Sequence, residues 1–344
     1  MDHRKSSRRF RNVMIVTGML IICSLYISLT NGTFDLSALD VIRTLLRIDP
    51  SREFELVVFD FRLPRILIGA LVGLGLGVAG AVMQGITRNS LADPGILGIH
   101  AAAGTSVVLG MFIFHGTLKG PGWLTVMTMP MFGWLGGIAA VVLLYLFARH
   151  HGVFDPQRLI LVGIALGSGF GALTMYISLK MNPQDFEMAT VWLSGSVYSA
   201  TWKHVATTLP WLLILIPIIW RKAYTLDLMQ LNEISAVGLG VQIKRERHIL
   251  LLCCVGLVSA CVAVSGSISF VGLIAPHIAR RLVGIHYKYI VPACGAIGML
   301  LVIIGDLIGK SIFSPAQLPV GIVISIIGVP YFLYLMYQSR KKIT

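Results

Sequence analysis

The chain is a succession of apolar runs about as long as a bilayer is thick, and this limits its folding more than any other feature. At about 1.5 Å of rise per residue, crossing roughly 30 Å of hydrocarbon takes about 17–25 helical residues. Apolar runs recur near 13–30, 66–85, 96–114, 123–147, 159–179, 205–220, 249–264, 268–283, 289–309 and 318–338. The expected fold is an all-α polytopic membrane protein with about ten transmembrane helices, forming one domain over 1–344. A further piece, "TVWLSGSVYSA" (190–200), is too short to cross and is expected to lie as a partial helix on one surface.

Composition agrees. Apolar residues make up 56% and charged residues 12% of the chain, about half the charge of a typical soluble domain. The first run follows the basic "RKSSRRFR" but ends in no small-residue cleavage site, so it is read as a retained helix. The five cysteines lie in apolar segments without metal-ligand spacing and behave as small hydrophobes. No cofactor or metal site is expected.

Ten spans put both termini on one side. Of the 28 Lys and Arg, 19 fall on that side, and eight acids nearly cancel the other nine. The positive-inside rule then places both termini in the cytoplasm. The formal charge of +13 is therefore a topology signal, and no nucleic-acid partner is expected. Outside, the extracytoplasmic segment 33–65 contains "LSALDVIRTLLRI", with the helical spacing of a surface-lying helix. Inside, 221–248 is long for a turn and has amphipathic content, as a partner-binding loop would.

Two motifs mimic nucleotide sites. "IIGDLIGKSI" (303–312) ends in Gly309-Lys310-Ser311, but the glycine that a phosphate-binding loop needs five residues before Gly309 is Ile304. "GLGLGVAG" (73–80) contains Gly75-x-Gly77-x-x-Gly80 in the middle of a span, not at a strand–turn–helix junction. Its better reading is the stripe Gly69, Gly73, Gly77, Ala81 and Gly85, which lets another helix approach backbone to backbone. Asp306 is the one acid inside a span and is expected to pair with Lys310 four residues on. A proton- or ion-coupled carrier would hold several intramembrane ionisable groups, and an enzyme would need paired carboxylates, metal-spaced histidines or an activated nucleophile. Neither pattern is present, so the chain is expected to move a solute without supplying the energy itself.

Three stretches carry a resemblance: "RLPRILIGALVGLGLGVAGAVMQGITRNSLADPGILGI" (62–99), "GSISFVGLIAPHIARRLVG" (266–284) and "LPVGIVISIIGVPYFLYLM" (318–336). In this order and spacing the chain resembles the permease subunits of type II ABC importers for iron–siderophores, haem and cobalamin, from about residue 15 to 338. The resemblance implies a bacterial cytoplasmic-membrane protein that works with a second permease subunit, two ABC ATPase subunits and an extracytoplasmic substrate-binding protein. It implies no ATPase site of its own.

It also implies residue roles. Arg62 and Arg65 match the family's cationic docking site for carboxylates on the binding protein, and Lys310 stands where a third arginine is common. A planar guanidinium grips a carboxylate bidentately, which lysine does not. Residues 232–243 match the coupling segment, two short helices broken at a glycine. Glu233, Ser235, Ala236, Gly238, Leu239 and Gly240 would enter the ATPase cleft. The turns holding Asn89, Ser90 and Leu91, and Pro156 and Gln157, would close the cytoplasmic mouth. His277 is assigned packing. Gln317 departs from the acid usual before "LPVG". The expected cargo is an iron–siderophore complex, with cobalamin or haem as the alternative.

Overall fold

The computed structural model describes residues 3–31, 36–48, 51–114, 123–150, 153–154, 156–312 and 316–340, and most of the described residues are helical. The first helix, α1 (His3–Thr30), starts ten residues earlier than the apolar run because its basic leader continues the helix. Next comes α2 (Ala38–Leu45), opened by a capping box in which Ser37 and Asp40 satisfy each other's backbone N–H. Then α3 (Arg52–Glu55) runs through a π-helical turn, Leu56–Arg62, into α4 (Leu63–Thr87), which has Pro64 in its first turn. Arg88 ends α4 in the left-handed conformation, φ 51°.

A 3-10 turn, Pro94–Leu97, leads to α5 (Ile99–Ile113), followed by α6 (Trp123–Phe147). A two-residue antiparallel ladder, β1 (Arg149–His150) with β2 (Val153–Phe154), precedes α7 (Pro156–Ser178). Then come α8 (Pro183–Leu193), capped by Asn182, and α9 (Trp202–Arg221). The short helices α10 (Ala223–Leu228) and α11 (Glu233–Gly238) lead to α12 (Ile243–Ser265). The chain closes with α13 (Val271–Val283), α14 (Tyr287–Ser311) and α15 (Val320–Arg340).

Among the described residues, eight helical segments are long and apolar enough to cross a membrane. The remaining two expected spans are shorter than the hydrophobic pattern implied: α5 has 15 residues and α13 has 13. At about 1.5 Å per residue α13 is only about 20 Å long, so the backbone before it is irregular. The piece expected at 190–200 is displaced: the helix is α8, and residues 194–201 form turns.

At the centre lies α4, packed on α14, α12, α13 and α9. Lipid tails are as apolar as leucine, so fit rather than hydrophobic burial decides how helices pair. A methyl group added at Gly73 would stand 2.3 Å from Gly298 O, and one at Gly77 would stand 2.2 Å from Cys294 O. The backbones of α4 and α14 therefore touch. Gly80, outside the stripe, does the same for α13, where an added Cβ would lie 1.9 Å from Gly272 O. That carbonyl is the one Pro276, lacking an N–H, leaves without its helical partner. Pro292 likewise frees Lys288 O, which accepts from Trp220 Nε1 at 3.2 Å. Within the stripe, Gly69 meets only Val302 Cγ1 at 3.6 Å, an ordinary contact, and Gly85 faces the Tyr287 hydroxyl and Leu226. Ala81 is buried.

Candidate functional site

Arg65 sits in the first turn of α4, where the π-helical turn and Pro64 aim it at the far end of α14. Its Nε donates to both carboxylate oxygens of Asp306 at 3.0 Å, and Nη2 donates to Oδ1 at 2.8 Å. Nη1 donates to Gln317 Oε1 at 2.7 Å. The Arg65 and Asp306 side chains are only 14% and 8% exposed, and Tyr198 covers the guanidinium with its ring centroid 5.3 Å away. The fork that suits a carboxylate is thus occupied within the chain. This corrects the expected pairing of Asp306 with Lys310. In place of the usual acid, Gln317 still supplies an acceptor to Arg65.

Lys310 Nζ instead donates to Ser28 O and Ser28 Oγ, both at 2.7 Å. Arg62 Nη1 donates to Leu29 O and, at 3.3 Å, to Thr30 O. These are carbonyls of the last turn of α1, the groups that a helix end leaves short of intrahelical donors, and cations at a helix C-terminus also meet favourable charge. Few of the α1 side chains are buried, and Ile15, Val16, Met19, Leu20 and Ile22 are exposed. Two side chains, one from the π-helical turn before α4 and one from α14, therefore fasten its end to the bundle. Arg62, Arg65 and Lys310 still line one cavity of about 460 Å³, with Asp60 and Tyr198 on its wall.

The opposite end of α4 and α14 carries residues 221–248, the segment expected to couple to the ATPase. Arg88 Nε donates to Met229 O at 2.6 Å, and Gln230 Nε2 donates to Gly85 O at 3.1 Å. Asp227, in α10, accepts from Tyr287 N at 2.8 Å and so caps the start of α14. Burial raises the Asp227 carboxyl above the usual carboxylate range, partly offset by that N–H and by His286. Glu233 bonds Arg247 Nη2 at 3.0 Å, tying α11 to α12. The segment is therefore tied to the end of α4, to the start of α14 and to α12.

The two short helices are α10 and α11, joined through Met229–Asn232. They are not both within 232–243, and they are not broken at a glycine. Gly240, φ 84°, instead turns the chain from α11 into α12. Ser235, Gly238, Leu239 and Gly240 are exposed, as is Glu233. Ala236 is fully buried and faces the chain's own core, so it is corrected from the outward-facing set. The sequence reading missed Ile234, which is 85% exposed, and Val237, which is also exposed. In an isolated chain they look like ordinary core residues; only the burial of Ala236 between them fixes which face of α11 is outward.

Of the turn residues, Asn89 and Ser90 are exposed, and Asn89 Oδ1 accepts from Leu91 N at 2.9 Å. Leu91 packs against the Leu273, Ile274 and Leu335 cluster. Pro156 and Gln157 open α7, so both turns sit where helices start or stop. His277 packs edge-on against Tyr331, ring centroids 5.7 Å apart. Among the described residues no three His, Cys, Asp or Glu gather as a metal site.

Comparison with known proteins fits this architecture. A solved structure of a transporter assigned to the metal-chelate ABC type, in an inward-facing conformation, superposes with a TM-score of 0.81 at 29% identity, covering 95% of this chain and 99% of that one. The PsaBC structure from Streptococcus pneumoniae, at 16% identity and a TM-score of 0.55 over 86% of this chain and 94% of that one, shares the fold alone. The iron-uptake system permease protein FeuC of Bacillus subtilis is 51% identical over 94% of this chain and 96% of its own length. The iron(3+)-hydroxamate permease FhuG of the same organism is 42% identical over 95% and 97%. The Fe(3+) dicitrate permease FecD of Escherichia coli is 36% identical over 84% and 87%. A family model matches residues 19–338, and the chain belongs to the FecCD transport family.

Proposed function

We propose that the chain is the permease subunit of an ABC importer that carries ferric chelates, a siderophore complex or ferric citrate, across the bacterial cytoplasmic membrane. The observation that carries this reading is the 51% identity to an iron-uptake permease over nearly the full length of both chains. In this reading the complex holds a second permease, two ATPase subunits and a binding protein. Both termini lie in the cytoplasm with α10 and α11, a placement that the charge distribution supports, and segment 33–65 lies outside.

The cavity of Arg62, Arg65 and Lys310 receives the binding protein. Because Arg65 is neutralised by Asp306, the net charge offered there comes mainly from Arg62 and Lys310, less Asp60. Long-range attraction then guides docking, with less of the affinity resting on new bidentate pairs. On the other face Ile234, Val237 and Leu239 enter the ATPase. The rigid attachment of α10 to α4 and α14 turns ATPase closure into helix tilt. Asn89, Ser90, Leu91, Pro156 and Gln157 close the inner mouth. The chain performs no covalent chemistry.

The test is uptake of radioactive iron by a bacterium stripped of its own ferric-chelate permeases and supplied with this chain, its ATPase and its binding protein. Uptake should require both this chain and an intact ATPase. Uptake that survives inactivation of the ATPase but collapses with the proton gradient would mean a secondary transporter instead.

A further inference from the structure

Between α1 and α4 lies a short helix with two apolar faces. The buried Val41 and Thr44 of α2 face the protein. There Leu36, Val41 and Val58 form a small core, with Leu29 of α1, Phe59 of the π-helical turn and Leu63 of α4 packed against it. On the other side Leu39, Ile42 and Leu46 stand at i, i+3 and i+7, the spacing of a single helix face, and each is more than half exposed. Leu45 and Ile48 are exposed beside them. A helix washed by water on its outward side would carry polar residues there. No described residue of this chain covers the stripe.

The depth of α2 follows from its attachment. As a helix, the apolar run 13–30 of α1 is about 27 Å long. It fills most of a ~30 Å hydrocarbon layer and sets Leu29 and Thr30 at the boundary away from the N-terminus. Leu29 packs on the core that holds Val41, so α2 rests against that boundary. The headgroup zone there is roughly 5–8 Å deep, less than the ~10 Å diameter of a helix. A helix lying at this level therefore reaches from water to the first acyl carbons. Its outward stripe continues the exposed apolar surface of α1, where Met19, Ile22 and Tyr26 meet lipid. Charge agrees with this placement. Arg43 and Arg47 are exposed, whereas Asp40, the acid of α2, is turned back into the capping box with Ser37.

We infer that α2 is an interfacial anchor whose partner is the outer leaflet of the bilayer. Leu39, Ile42 and Leu46 lie among the glycerol and upper acyl carbons of phospholipids, and Arg43 and Arg47 meet their phosphates. The anchor also holds one wall of the cavity that contains Arg62, Arg65 and Lys310. Val58 and Phe59 of the π-helical turn belong to the core beneath α2, and the Arg47 guanidinium lies 5.9 Å from the Phe59 ring centroid. The next three residues, Asp60, Phe61 and Arg62, line the cavity. Immersion of α2 thus fixes the height of that wall above the lipid. The lipid contact rests on helix lengths and exposure; the choice of leaflet and the bearing on docking rest on the function proposed above.

The test uses the complete transporter in phospholipid vesicles, in a Cys23→Ser background because the other four cysteines are buried. Ile42→Cys and Leu46→Cys each carry an environment-sensitive fluorophore, and Glu53→Cys, exposed in α3, gives the reference in water. Emission from the two α2 sites should be blue-shifted from that reference. Phospholipids brominated near the top of the chain should quench it at least about twofold more than those brominated near the chain end. Saturating binding protein should change neither reading. Emission as red as the reference, without bromine quenching, would overturn the proposal by placing the stripe in water. Blue emission that bromines do not quench would overturn it too, since another protein would then cover the stripe. So would a blue shift that appears only with the binding protein. Should either variant fail to accumulate, Leu39→Cys carries the same comparison. Ile42→Asp combined with Leu46→Asp should weaken docking of the binding protein severalfold while the ATPase stays bound. Unchanged docking would overturn the link to the cavity and leave the lipid contact standing.

Discussion

Removing Asp306 from its pair with Arg65 is the sharpest test of the outer cluster. At 2.8 Å and an effective dielectric of about 20, the pair has a gross Coulomb attraction of about 6 kcal/mol. Desolvation offsets most of that, but removing one partner leaves the other charge buried, which costs about 3–5 kcal/mol. Arg65 keeps only Gln317 and the Tyr198 ring when Asp306 becomes alanine. Asp306→Ala, Arg65→Ala and the double variant form a cycle that thermal unfolding of the detergent-purified chain can read. Each single change should lower stability by several kcal/mol, and the double should lose about 2–3 kcal/mol less than the sum. A coupling below about 0.5 kcal/mol would mean that the two groups do not depend on one another. It would return Arg65 to the role of a free docking cation.

Other outcomes follow from the same geometry. Gly77→Leu should separate α4 from α14 and abolish uptake with a loss of about 1–3 kcal/mol or more, whereas Gly69→Ala, whose methyl would only touch Val302 at 3.6 Å, should leave uptake and thermal stability near wild type. Ile234→Asp should leave the subunit folded and inserted yet weaken its association with the ATPase in pull-down; unchanged association would remove α11 from the interface. Burial raises the folded-state pKa of Asp227, so the folded chain holds that proton more tightly than the unfolded one, and this carboxyl's contribution to stability falls as pH rises through the raised value. Asp227→Asn keeps an acceptor for Tyr287 N and should flatten that part of the pH profile without lowering stability at pH 7, while Asp227→Ala should cost about 1–3 kcal/mol. Lys310→Ala should loosen the end of α1 and slow docking of the binding protein, most visibly at low ionic strength, with no change in the complex's affinity for ATP.

Sequence alone determined that this chain is a bundle of membrane-crossing helices, roughly where most spans lie, and that Gly73 and Gly77 of α4 permit close contact. Those properties come from local quantities: hydropathy summed over about 20 residues and the four-residue spacing of small side chains. The tertiary structure decided the rest. Arg65 and Asp306 are 241 residues apart, and nothing local tells an arginine whether its carboxylate belongs to its own chain or to a docking protein. Lys310 lay four residues from Asp306, so helical spacing favoured the wrong partner, and the Ser28 carbonyl and hydroxyl in the last turn of α1 claimed it instead. Ala236 and Ile234 are two residues apart in one short helix, yet one is buried and the other exposed, because the orientation of α11 is fixed by Asn232, Glu233 and Arg247. Residues 194–201 and 266–270 belong to separate segments, and only packing brings their irregular backbones together, where Ser196 N donates to Ser265 O.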